Sequence, residues 1–396
     1  MRTKFYLPIL LFGLFSGCGG SDSATTTDTM GITLSGTSKK GLLLTTTQDY
    51  KSSRLFWFDF ATESKSEVFA GESGDPALFA AGTGVFFFNR TSDNSNLRQL
   101  TRTSAGWDIG AQTAMPGAGS GDPQSVLALD DRFLLLSFWS ANGLGLFDRQ
   151  EGKLTQTVTF PFDTGSGDTH VFRPSSLFRS AAGGIYVVHQ GLASDGLTLT
   201  GQQQIFVLTW DGSTLGADDR DPAKEKIQGI PLKVSNPTNV FPAADGSVMV
   251  AGSCTIYGGD SCKSGFEQVD LVTGTTALVW DMSDLPEKHN GAIVAAGTDV
   301  YYAQMLKPGA DQSVENGEKH VVRLDLQGKT MTKIHNYPAE SNGCCGLFYD
   351  ETSQKLIVTD HTPAADGSVS VLDSAGTVLS TATVANTPYN GLIVAQ

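Results

Sequence analysis

The chain is short of cysteine, of positive charge and of long apolar runs. Five cysteines in 396 residues are too few for a disulfide-built scaffold, so a hydrophobic core must carry the fold. Lys and Arg number 27 against 41 Asp and Glu, a formal net charge of −14. Without clustered basic residues to neutralise phosphates, a nucleic-acid partner is excluded. The acidic residues form no long run either and read as a dispersed, solvated surface. GxSxG, HExxH and phosphate-loop patterns do not occur, so no short motif announces catalysis.

The one apolar run near the start, Phe5 to Phe15, follows the basic pair Arg2 and Lys4. It is too short to span a bilayer as a stable helix and reads as a secretory signal. Its end, Leu14-Phe15-Ser16-Gly17-Cys18, resembles the lipobox of bacterial lipoproteins, with Phe15 in place of the usual aliphatic residue. The resemblance implies removal of residues 1–17 and acylation of Cys18, palmitate included. Gly19 rather than an aspartate after the cysteine implies the outer membrane, under the sorting rule of enteric bacteria. Residues 18–39, rich in Gly, Ser and Thr, lack the apolar surface to offset ordering entropy and read as a flexible tether. The expected address is therefore the cell envelope, with the periplasm or outside as the surrounding medium.

From residue 40 to 396 one pattern recurs seven times: a polar head, Pro or Gly, an apolar run, a tight turn and a second apolar run. The heads are Asp75, Asp122, Arg173, Asn236, Asn290, Asn342 and Asn390, spaced 47, 51, 63, 54, 52 and 48 residues apart. Five units carry a further hairpin whose first strand ends in aspartate, as at Asp59, Asp148, Asp270, Asp325 and Asp373; an aspartate there suits a turn by accepting from nearby amides. Four strands per period of this length, with alternation dominant and no helical stripe, predict an all-β chain. The predicted fold is a single seven-bladed β-propeller. The last copy stops after one strand, while KKGLLLTTTQ near position 40 has no first strand before it. The two ends are thus expected to pair and close the ring.

In such a ring the seven heads surround one mouth of the central channel, here called the top. Their oxygens at Asp75, Asp122, Asn236, Asn290, Asn342 and Asn390 form a candidate site for a hard cation such as calcium, with Arg173 the one cationic head. NGAIVAAGTDVYYAQ and NGCCGLFYDETSQKLIVTD resemble repeats of the gluconolactonase and regucalcin-like propellers and of surface-layer-type repeat proteins. That resemblance implies a channel metal held by Asn290, Asn342 and Asn390. The chain departs from those enzymes in having seven blades for their six and no clear channel glutamate. His170, His189, His289, His320, His335 and His361 all map toward the top; His189, His289 and His361, with Arg173, are candidate ligand contacts.

Export implies an oxidising compartment for Cys254, Cys262, Cys344 and Cys345. Cys254 and Cys262 close a top-face loop if bonded. Cys344 and Cys345 either bond each other, tolerated by the flanking Gly343 and Gly346, or stay reduced; crossed pairs exceed permitted spans. The reading that follows is a monomeric lipoprotein whose top face binds a protein, peptide or glycan partner. A calcium- or other divalent-metal-dependent lactonase or hydrolase is the alternative.

Overall fold

Within GVFFFN, residues 84–89, Val85 and Phe87 turn to one side of the strand while Phe86 and Phe88 turn to the other. This period-2 alternation gives every blade two apolar faces, each needing a neighbour. The arrangement repeats around the molecule. The computed structural model describes residues 40–47, 52–59, 64–72, 76–82, 84–89, 96–103, 106–115, 123–139, 143–165, 171–196, 198–243, 245–253, 262–285, 288–307, 317–338, 341, 346–351, 353–360, 366–384 and 387–393.

Seven antiparallel sheets form the ring, each built on four strands, and the third strands Asn96–Thr103 and Gln204–Trp210 also pair with the short fifth strands Thr113–Ala114 and Ile230–Pro231. From the channel outward, blade 1 holds Pro76–Ala81, Gly84–Asn89, Asn96–Thr103 and Gly106–Ile109, and blade 2 holds Pro123–Ala128, Phe133–Phe138, Gly143–Asp148 and Lys153–Val158. Blade 3 comprises Pro174–Arg179, Ile185–His189, Gln204–Trp210 and Leu215–Asp218; blade 4 comprises Pro237–Pro242, Val248–Gly252, Gly265–Val269 and Thr276–Asp281. Blade 5 runs Lys288–Ala295, Val300–Lys307, Glu318–Asp325 and Thr330–Asn336, and blade 6 runs Leu347–Asp350, Lys355–Asp360, Gly367–Leu372 and Val378–Val384. Blade 7 joins the two ends: Thr387–Ile393 is its inner strand, followed by Lys40–Thr46, Ser53–Asp59 and Ser64–Glu72. Closure is antiparallel, with Gly41 opposite Ile393 and Leu44 opposite Asn390, as the sequence predicts.

The core is divided into seven seams, one between each pair of adjacent blades. Phe79, Phe86 and Phe88 of blade 1 pack on Leu134, Leu136 and Phe138 of blade 2. Ile205 and Val188 of blade 3 meet Val240 and Val250 of blade 4. Leu42, Leu44 and Leu55 of blade 7 pack on Leu78, Val85 and Phe87 of blade 1, completing the circle. Each buried large apolar side chain contributes about 1.5–3 kcal/mol, so no blade could lose its neighbour without exposing a whole face.

The turn aspartates behave as their spacing predicts. Asp270 Oδ1 accepts from the amides of Val272 and Thr273, and Asp373 Oδ1 from those of Ala375 and Thr377. The mixed-charge stretch 211–229 is not one loop: Asp211–Thr214 make a turn at the end opposite the heads. Leu215–Asp218 continue as the outer strand, and Arg220 donates to the Leu271 and Val272 carbonyls of blade 4. This polar strand is anchored by the buried Leu215, with Ala217 packed against the same core.

Candidate functional site: the top of the ring

Inner strands of a closed ring all run the same way, so their first residues share one mouth. Second strands return to it, and this brings Trp139 and His189, at the ends of the second strands of blades 2 and 3, beside Arg173 at the head of blade 3. Arg173 is only 6% exposed. Its Nη1 donates to the Trp139 carbonyl at 2.8 Å, Nη2 to the Ser194 carbonyl at 2.5 Å and Nε to the Ala193 carbonyl at 3.4 Å. The guanidinium lies 4.1 Å from the centre of the Trp139 ring. Trp139 Nε1 in turn donates to Gln190 Oε1 at 2.6 Å. The Arg173 amide donates to His189 Nδ1 at 3.0 Å, so that nitrogen is unprotonated and this fully buried imidazole serves the backbone. Arg173 thereby ties blade 3 to blade 2, and His189 braces the backbone of its own blade.

Asn236 heads blade 4 with φ of 45°, a left-handed conformation that asparagine tolerates better than most side chains. The chain is steered into it by Glu267, whose Oε2 accepts from the Lys233 and Val234 amides, and by paired bonds between Ser235 and Lys263. Asn236 is buried, with Nδ2 3.5 Å from Ser253 Oγ, and its Oδ1 has no hydrogen-bond partner among the described residues. An orphaned buried oxygen suits a cation ligand in kind. Among the described residues, however, no group of three or more His, Cys, Asp and Glu stands close enough to hold a metal.

A second polar cluster occupies the top of the seam between blades 5 and 6. Lys319, 7% exposed, donates through Nζ to the Ser341 carbonyl at 2.6 Å. The Ser341 hydroxyl donates to Asp360, itself 9% exposed. Gln304 donates to the Tyr337 phenol oxygen at 2.6 Å, and burial raises the Tyr337 pKa. His335 stands edge-on to Tyr337 at 5.6 Å; burial holds its pKa below the usual 6.5, partly opposed by the Asp360 charge. On the far side, the Gly346 carbonyl accepts from the amide and hydroxyl of Thr359, and a Cβ at Gly346 would collide with that hydroxyl. Residues 341 and 346, which bracket Asn342 to Cys345, are therefore both pinned.

Asp75, Asp122, Asn342, Cys254, Cys344, Cys345, His170, His361 and Cys18, the expected acylation site, lie outside the described residues. Asn290, His289 and Asn390 sit in inner strands at the top, their side chains likewise outside. Cys262 is buried and is not a free thiol; its expected bond to Cys254 falls outside the described part. Sequence reading missed Trp139, Gln190, Lys319, Ser341 and Asp360. The signal available was faint: Lys319 adjoins the flagged His320, and Asp360 ends a strand already recognised.

No protein-family model matches the chain, and no curated protein matches it. Solved structures do share its shape. A protein of Lactobacillus plantarum aligns with TM-score 0.57 at 12% identity over 89% of this chain and 98% of its own. The periplasmic gluconolactonase of Pseudomonas aeruginosa aligns with TM-score 0.54 at 14% identity, covering 90% and 99%. A candidate 6-phosphogluconolactonase of Bacteroides fragilis gives 0.52 at 13%, covering 89% and 97%. At such identities the likeness is one of fold, and this chain is a seven-bladed propeller resembling those proteins at that level.

Proposed function

We propose that the chain is an envelope lipoprotein, anchored through acylated Cys18, whose propeller recognises a partner through its top face. One observation carries this reading. The buried charged groups of the top, Arg173, Lys319 and Asp360, engage loop carbonyls and the Ser341 hydroxyl. Charges used in this way hold loops in one shape before any partner arrives, and preorganisation of this kind raises affinity by lowering the entropy lost on binding. The tether would let the ring stand away from the lipid surface. The disulfides expected among Cys254, Cys262, Cys344 and Cys345 would stiffen the same face.

A metal-dependent lactonase is the second reading, favoured by the orphaned Oδ1 of Asn236 and by the gluconolactonases among proteins of similar fold. Thermal unfolding with calcium and with EDTA, beside hydrolysis of gluconolactone, separates the two. Binding as the sole role predicts unchanged melting and no hydrolysis above the buffer rate. Stoichiometric calcium that raises the melting point, supports turnover and is lost in Asn290→Ala and Asn342→Ala would replace this reading with the enzyme. For the anchor, Cys18→Ser should move the chain from the membrane to the soluble envelope fraction.

A further inference from the structure

The Trp139 indole is held on three sides. Arg173 covers one face of the ring at 4.1 Å while bonding the residue's own carbonyl. The N–H edge is fixed by Gln190, itself more than nine-tenths buried. The adjoining benzo end abuts Gly196, whose φ is 72° and where a Cβ would collide with Cη2 and Cζ2 of the ring. That glycine belongs to a tight hairpin closed by Ala193 with Thr198 and Gly191 with Thr200. Despite these contacts Trp139 keeps an intermediate exposure. What these contacts leave open among the described residues is the other face of the ring and its Cε3 edge.

We propose that this outer face is a stacking platform for the pyranose ring of a neutral glycan. The assignment rests on the top-face recognition reading and gives it a ligand class. An aromatic face attracts a cation, an apolar side chain or the CH face of a sugar. A second cation is disfavoured because the Arg173 guanidinium already draws on the same ring from behind. An apolar peptide needs several adjacent anchors. The large hydrophobics that stand exposed among the described residues are Val272, in the blade 4 turn at the opposite end, and Val378 and Leu379, on the outermost strand of blade 6. The groups beside Trp139 are mostly polar: Gln190, and a hairpin that bears Asp195 and Thr198 together with the part-exposed Leu199. A saccharide offers one apolar face within a rim of hydroxyls, which matches a lone aromatic in a polar frame. The net charge of −14 disfavours anionic sugars. Three-sided restraint also means that little side-chain entropy is lost on stacking.

The test uses the full chain in detergent micelles, biosynthetically labelled with 5-fluorotryptophan, the Trp139 resonance assigned by its loss in Trp139→Phe. Chitotetraose and cellotetraose are the probes. At least one should shift the Trp139 resonance saturably, and Trp139→Ala, assayed at a temperature where it is folded, should weaken its calorimetric affinity about tenfold or more. Trp139→Phe should stay within about threefold, since a ring remains to stack on. A Trp139 resonance indifferent to both sugars at millimolar concentration overturns the proposal, and because it is read in the native chain this holds even if Trp139→Ala does not fold. Sugar binding that persists undiminished in folded Trp139→Ala also overturns it while leaving top-face recognition standing. A hydrophobic peptide that moves the resonance when neither sugar does overturns the glycan assignment. Lactone turnover without any binding at the top removes the recognition reading itself.

Discussion

Two seams close at the top by different chemistry. Between blades 2 and 3 a buried cation is satisfied by neutral carbonyls of Trp139, Ala193 and Ser194 and by an aromatic face. Between blades 5 and 6 an ammonium and a carboxylate share Ser341, one through its carbonyl and one through its hydroxyl. The first arrangement depends on dipoles that the backbone already possesses. The second depends on ionised groups, and a titratable imidazole and phenol lie beside it. The difference teaches that a ring of similar blades need not have a uniform rim: each seam solves the burial of its linker locally, and the first leaves the Trp139 ring partly open.

The contrast can be broken most severely at Arg173. Arg173→Met should cost about 3 kcal/mol in urea unfolding, because three carbonyls lose charge-assisted donors and the Trp139 face loses its cation. A loss near zero would mean the guanidinium is not a latch. Asp360→Asn should cost less, about 2 kcal/mol, since the amide oxygen can still accept from Ser341 but carries no charge. The double variant should show the sum of the two within about 0.5 kcal/mol, as sites without shared partners do. A larger coupling would show that the two latches act through the ring as one body.

Acidity gives the smallest and most selective effect. The folded-state pKa of His335 lies below the usual 6.5 because burial disfavours its charged form. Its contribution to stability is therefore full above that value and is lost as pH falls through the lower folded-state pKa. Unfolding free energy should decline from about pH 6.5 downward, and the decline should be shallower in His335→Gln, measured by urea unfolding at a series of pH values. A profile identical in both proteins would refute the assignment. Below the usual aspartate value of 3.8 a further loss should set in around the ring, because Asp270 and Asp373 are held below that value: Asp270 chiefly by Thr273, Asp373 chiefly by the Thr377 amide.

Most of the architecture was legible before any coordinates. Alternation in stretches such as GVFFFN marks two-faced strands, and aspartates such as Asp270 and Asp373 mark the turns that end third strands. The unmatched strands at the two ends predict their own pairing. The candidate site was far less legible. Arg173 stands out in sequence as the one cationic head, but its partners do not, because they lie in a neighbouring blade and in a loop 20 residues on. Lys319 and Asp360 are 41 positions apart in sequence and meet only because Ser341 passes between their blades. A lysine before a strand of ordinary composition reads as solvated surface, and nothing local says otherwise.

What the amino-acid order determined by itself was therefore the repeat, the strand faces, the turns and the closure, all of which depend on near neighbours or on a period of about 50 residues. Which polar side chains are buried, which carbonyls they reach and which aromatic face stays open were decided only in the assembled ring. Those properties belong to seams between blades, and a seam does not exist until two non-contiguous segments have packed.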